Sequence, residues 1–275
     1  MTSFLSIALK GEHMKDTVKD RVAFITGGGS GIGAASAKLL AQRGAKVAVS
    51  GRTKEELDAV VREIEDAGGE ALAIVADIAE VDDLKRAYDQ IIETYGRLDI
   101  VFANAGVNGT WAPVDELEPD EFRKTVDINL NGTFFTLKYA VPHLRERGGS
   151  VIVTASVNGT RMFINSGATA YASTKAAQVA MTKMLALELA KDRIRVNVIC
   201  PGAIETQIDE NTSREDLDEA REPVEYPAGK IPLTDGEPGS SAQVAQLVLF
   251  LASDASSHIT GTEMWIDGGQ SLLQG

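Results

Sequence analysis

Short apolar runs alternate with amphipathic helical segments through most of this chain, and that alternation restricts its fold more than any other feature. The runs at 22–26, 46–50, 71–75, 98–103, 150–154 and 195–199 are each rich in Val, Ile or Ala. Continuous apolar runs of this length suit strands covered on both faces. Between the second and third, TKEELDAVVREIEDAGG reads as a helix. Thr53 and Glu56 form a capping box, Leu57, Val60, Val61 and Ile64 make one apolar stripe, and Gly68 ends the helix. A helix between two strands implies a right-handed crossover, so the pattern predicts an α/β protein with a parallel sheet and helices on both faces.

Composition limits what such a sheet serves. The chain has 275 residues, 44% of them hydrophobic, and no break in composition divides it, which predicts a single domain over 18–275. Residues 1–17 read as an N-terminal tail: the apolar stretch at 4–9 is too short for a signal-peptide core, and Met14 opens a segment, MKDTVKD, that leads straight into the first strand. The least regular segment, 204–241, holds four prolines and a dense run of acids and is expected to form a substrate lid. A formal net charge of −13 argues against nucleic acid or an anionic membrane surface as partner. No apolar run approaches the length of a membrane span. Cys200 is the only cysteine and His13, His143 and His258 lie far apart, so neither a disulfide framework nor a zinc site is expected. The expectation is a cytoplasmic protein whose partners are small molecules.

TGGGSGIG, residues 26–33, follows the first apolar run and precedes a helical segment. A glycine-rich turn at a helix start exposes backbone N–H groups where the helix dipole favours an anion, and a pyrophosphate fits that description. A phosphate-binding P-loop is set aside because Gly31-Ile32-Gly33 lacks its Gly-Lys-Ser/Thr ending. The stretch therefore points to a doubly wound, Rossmann-type fold, with Gly27, Ser30, Gly31, Ile32 and Gly33 at the cofactor, although glycines also serve tight turns without a ligand. Such folds place an acid about twenty residues on, to accept from the adenosine ribose. Here the second strand ends VAVSGRT: Gly51 leaves room, and Arg52 brings a guanidinium suited to a 2′-phosphate. NADP(H) is expected to be preferred, with NAD(H) possible; the alternative is that Arg52 is only a solvated charge.

YASTK places Tyr171 and Lys175 one helical turn apart on one face, a spacing that chance often produces. Ser156 follows the strand SVIVT, at the carboxyl edge where parallel sheets hold their ligands. TGGGSGIG, ANAG at 103–106, INLNG at 128–132, Ser156, YASTK and PGAIET at 201–206 occur in this order. Together they resemble the short-chain dehydrogenase/reductase family over about residues 18–270, and the spacing of Gly27, Gly31 and Gly33 matches its compact oxidoreductase branch. Ala103 stands where many members have a second asparagine, and Ala155 precedes the serine.

The resemblance implies hydride transfer between a nicotinamide cofactor and a carbonyl or secondary alcohol. In it, Tyr171 is the general acid/base, Ser156 hydrogen-bonds the substrate oxygen, and Lys175 holds the nicotinamide ribose. Asn129 holds a water that relays protons. Asn104, with Ala105 and Gly106, borders the cofactor, Asp77 meets adenine, Thr206 meets the nicotinamide carboxamide, and Pro201 and Gly202 also bind the cofactor. A neighbouring ammonium is expected to stabilise the phenolate of Tyr171. Hydrolysis at Ser156 is disfavoured, since no Gly-x-Ser-x-Gly occurs. A non-catalytic NADP-binding sensor on the same fold is the alternative reading. Trp111, Met162, Phe163 and Ile164 are candidates for an apolar pocket wall. Residues 205–225 carry nine Asp/Glu against Arg214 and Arg221, a lid that would repel an acidic acyl carrier protein. Members of the family commonly pair the helices that here span 118–145 and 171–189, so a homotetramer is expected; Met181, Met184, Leu185 and Leu187 give the second more apolar surface than one sheet face needs.

Overall fold

A computed structural model describes residues 17–206, 208, 212–217 and 231–274. Most of the expected tail and the central part of the expected lid lie outside these described residues. Seven strands form one parallel sheet: β1 (Val22–Thr26), β2 (Lys46–Gly51), β3 (Glu70–Val75), β4 (Ile100–Ala103), β5 (Gly149–Thr154), β6 (Ile194–Pro201) and β7 (Glu263–Ile266). Their order across the sheet is β7-β6-β5-β4-β1-β2-β3. The chain winds outward from β1 through β2 to β3, then returns to the other side of β1 at β4. That reversal leaves a crevice beyond the carboxyl ends of β1 and β4, where doubly wound sheets bind ligands.

The strands alternate their side chains between two cores. From β1, Ala23 and Ile25 pack with α1 (Gly31–Gln42), α2 (Lys54–Asp66) and α7 (Ser241–Ala252), numbered in chain order. Val22 and Phe24 pack on the opposite face with α3 (Val81–Tyr95), α5 (Gly132–Leu144) and α6 (Thr169–Leu189). All five residues of β1 are buried, which explains an apolar run without polar alternation. A shorter helix, α4 (Pro119–Val126), precedes α5, and α8 (Gln270–Gln274) closes the described chain.

Four details depart from expectation. The seventh strand was not read from the sequence; EMWI is short and lies late in the chain. The helix expected over 118–145 is interrupted by a π-turn at Asp127–Asn131. Thr53 does occupy the N-cap of α2, but its side chain makes no capping bond, and the Glu56 side chain lies against Gly29 rather than on the cap. A complete capping box forms instead at Ser240 and Gln243, at the start of α7.

Candidate active site

The glycine turn between β1 and α1 is shaped mainly by what the protein itself places around it. A Cβ on Gly33 would lie 2.0 Å from the Gly27 carbonyl oxygen, and one on Gly28 would lie 2.7 Å from Val49 Cβ. Gly27 and Gly31 also adopt left-handed backbone, with φ of +65° and +51°, where a side chain is strained. Asn104 fastens the turn from below: its Nδ2 donates to the carbonyls of Thr26 (3.2 Å) and Gly27 (3.3 Å), and its Oδ1 accepts from Thr154 Oγ1 (3.2 Å). Thr26 Oγ1 in turn accepts from the N–H groups of Asn104 and Ala105, both at 3.1 Å. β1, β4 and β5 are thereby tied together at their carboxyl ends.

Above this turn runs a cleft of about 910 Å³, within the size range of cofactor sites. Gly27, Ser30, Gly31, Ile32, Arg52, Asp77, Asn104, Ala105, Gly106, Ser156, Tyr171, Lys175, Pro201, Gly202 and Thr206 all line it. Two of the expected residues are not part of its lining. Gly33 does not line the cleft and serves the packing against Gly27. Asn129 also lies outside the lining, wholly buried: its Oδ1 accepts from the Val107 N–H (2.9 Å), and its Nδ2 donates to the Val107 carbonyl (2.8 Å) and to Thr174 Oγ1 (3.2 Å). The π-turn brings the Asn129 carbonyl to Gln178 Nε2 (2.8 Å) and Thr133 Oγ1 (2.7 Å). Asp77 lines the cleft but uses Oδ1 to accept from the Ala79 N–H at 3.0 Å.

A dinucleotide fits this cleft on two grounds. Ser30 is the N-cap of α1 without a side-chain capping bond, so the first-turn N–H groups meet the cleft without a protein side chain to satisfy them. Arg52, exposed on the cleft wall, has no hydrogen-bond or ion-pair partner among the described residues.

At the other end, Ser156, Tyr171 and Lys175 come together. Ser156 lies two residues past β5, and α6 starts two residues before Tyr171, so the serine and both YASTK side chains meet from separate elements. Tyr171 lies beside Ser156, whose Oγ accepts from the Asn158 N–H at 3.1 Å. Lys175 Nζ donates to the Thr154 carbonyl (2.9 Å) and lies 5.5 Å from the centre of the Tyr171 ring. Burial lowers the Lys175 pKa to about 8 and pushes that of Tyr171 up, opposed in part by the Ser156 hydroxyl beside it. The expected lowering of the phenol by the ammonium is therefore not found. The Lys175 N–H is directed at a carbonyl, and loss of water outweighs the charge across the ring. Cys200 is buried nearby, its thiol raised to about 12 by burial.

Trp111, Met162 and Ile164 line this end together with Asn108, Asn158 and Asn165. Phe163 does not; it is 76% exposed and borders a separate pocket of about 310 Å³. The sequence reading missed Gln270, whose Oε1 accepts from the Ala203 N–H (2.9 Å) from α8 at the cleft edge. The Gly268-Gly269 pair before it, both at positive φ, was the available signal. It also missed Glu56, which lines the cleft beside Arg52.

Known proteins resemble this chain in sequence and in fold. Residues 27–271 match a family model described as enoyl-(acyl carrier protein) reductase. The 3-oxoacyl-[acyl-carrier-protein] reductase of Thermotoga maritima is 38% identical over 253 residues, covering 92% of this chain and 98% of that protein. The cyclohexanol dehydrogenase of an Acinetobacter species is 38% identical over 256 residues, 93% of this chain and 96% of its own. A crystal structure of a 3-ketoacyl-ACP reductase from Sinorhizobium meliloti 1021 superposes with a TM-score of 0.88 at 51% identity, covering 92% of this chain and 99% of that one. With the match running from the glycine turn through the last strand, the chain belongs to the short-chain dehydrogenase/reductase family and is an NAD(P)-dependent oxidoreductase acting on CH–OH or carbonyl groups.

Proposed function

We propose that this protein interconverts a small neutral ketone and its secondary alcohol, with Tyr171 as general acid/base and NADP(H) as the preferred cofactor. The observation that carries the reading is that Ser156, Tyr171 and Lys175 line one cleft together with the open start of α1, the Lys175 ammonium 5.5 Å from the Tyr171 ring. When bound, the dinucleotide supplies hydride transfer, chemistry that no side chain in the cleft can perform. The first turn of α1 holds its pyrophosphate, Arg52 its 2′-phosphate, Lys175 the nicotinamide ribose, and Pro201, Gly202 and Thr206 the nicotinamide end. Asp77 borders the adenine.

Ser156 and Tyr171 bind the substrate oxygen from one side of the cleft. A phenol held above its ordinary pKa keeps its proton at neutral pH, as a donor to a developing alkoxide must. In the alcohol-oxidising direction the same oxygen, once deprotonated, takes the proton of the alcohol. Asn129 enters the proposal as the anchor of Val107 and Thr174, on the path where the family resemblance puts a relaying water. Apolar Trp111, Met162 and Ile164 beside three asparagines favour an uncharged substrate. The acidic segment 205–225 counts against an acyl carrier protein as its carrier, although two relatives are named for one. The exposed apolar faces of α4, α5 and α6 support assembly into a homotetramer, and a lone buried cysteine suits the reducing cytoplasm.

The test is NADPH consumption over a panel of cyclic ketones, steroid-like ketones, sugars and an acyl-carrier-protein thioester. Tyr171→Phe should lower turnover at least about 100-fold while leaving the cofactor dissociation constant near wild type. Retained turnover removes Tyr171 from the chemistry, and turnover on the carrier thioester alone overturns the substrate class.

A further inference from the structure

The second helix contributes a carboxylate to the cleft at a place where the strand before it has none. Gly51, at the end of β2, has room beside it, its nearest neighbour to an added Cβ being Leu57 Cδ2 at 3.5 Å. Five residues on, Glu56 occupies the first turn of α2 but does not reach back to cap it. Its side chain lies over the glycine turn instead: a Cβ on Gly29 would come 3.0 Å from both Glu56 Cβ and Glu56 Oε2. Gly29 thus leaves Glu56 room to lie close over the turn. Gly29, Arg52, Thr53, Glu56 and Asp77 line the same end of the cleft. Neither Arg52 nor Glu56 has a hydrogen-bond or ion-pair partner among the described residues, so the two opposite charges line one cleft without an ion pair joining them.

We propose that Glu56 is a specificity-determining residue that opposes Arg52. Its carboxylate is the acceptor available to the ribose hydroxyls of an unphosphorylated dinucleotide, and it repels the 2′-phosphate of a phosphorylated one. The acid that dinucleotide folds place at the end of the second strand is supplied here from the helix that follows. The inference rests on the cofactor reading above. It limits the preference for NADP(H) that Arg52 confers and keeps NAD(H) within reach. A single negative charge acting on a phosphate across a few ångströms of partly wet cleft shifts binding by about three- to tenfold, less at high salt.

Titration calorimetry of NADPH and NADH with wild type, Glu56→Gln and Arg52→Ala tests this without recourse to activity. Glu56→Gln is expected to raise the NADPH-to-NADH affinity ratio about three- to tenfold, with NADH bound no tighter than by wild type. The gain should shrink in 0.5 M salt, about where screening falls to a few ångströms. An unchanged ratio, including an equal change for both cofactors, would mean that Glu56 only packs on Gly29, and overturns the proposal. Arg52→Ala separates the two readings: if it leaves the ratio unaltered while Glu56→Gln moves it, the role of Arg52 fails and that of Glu56 stands. Absence of binding by either cofactor to wild type overturns both.

Discussion

Lys175 shows what the site demands of a single residue. Its ammonium is almost wholly out of water, held by one carbonyl and one ring face, with no ion-pair partner among the described residues. A folded pKa of about 8 against an ordinary 10.5 means that the folded state resists the charge. That penalty, on the order of 3 kcal/mol, is fully present below pH 8 and disappears as pH rises through the unfolded value. Lys175→Met should therefore raise the unfolding free energy at pH 7 by about 1–3 kcal/mol in urea titrations, after loss of the Thr154 hydrogen bond, and the gain should vanish by about pH 10.5. The same substitution should abolish turnover. In the wild type, kcat/KM for carbonyl reduction should fall above about pH 8 as the ammonium loses its proton, while Tyr171 remains protonated. A profile flat to pH 10 would contradict the assignment. These pairings were partly legible: YASTK and Ser156 give residues that the fold brings to one cleft, but the direction of the Tyr171 shift depends on burial, which no spacing displays.

Elements were placed well by pattern and less well by their ends. Apolar stripes located α2, but the Thr53–Glu56 box that pattern suggested does not form, whereas the Ser240–Gln243 box does. Ser240→Ala should accordingly cost about 1 kcal/mol in a denaturant midpoint series, and Thr53→Ala less than about 0.5 kcal/mol. Equal costs would show that Glu56 caps its helix after all. The π-turn at Asp127–Asn131 was invisible for a similar reason. One extra residue in a helical turn leaves composition and apolar spacing almost unaltered, and only the facing Gln178 and Thr133 make a displaced carbonyl favourable. Phe163 belongs here too: the chain places it among pocket-wall residues, and the loop turns it outward.

At the scale of the molecule, unsatisfied apolar surface lies outside the sheet. Met184 and Leu187 on α6 are 74% and 84% exposed, and Phe122 on α4 and Phe134 on α5 are also exposed. Monomeric proteins seldom leave such residues clustered in water, and a second copy offers a self-complementary cover. Sedimentation equilibrium at micromolar concentration should report a tetramer, and Leu187→Glu should shift the mass toward smaller species without altering the circular dichroism spectrum. A wild-type monomer would remove the assembly from the proposal. No described helix is long and apolar enough to cross a membrane.

Local chemistry in the chain was enough to establish the alternation of strands and helices and the glycine turn after the first strand. Each rests on interactions within a few residues or on side-chain periodicity, which the amino-acid order carries directly. The tertiary structure decided what lies far apart in the chain and close in space. Asn104 ties three strands beneath the turn, Asn129 clamps Val107, Gln270 reaches the cleft from the last helix, and Glu56 covers Gly29. Glycines that read as a cradle for a ligand are in part spaces for the protein's own atoms. That distinction depends on which neighbour the fold brings within contact distance, and no local propensity encodes it.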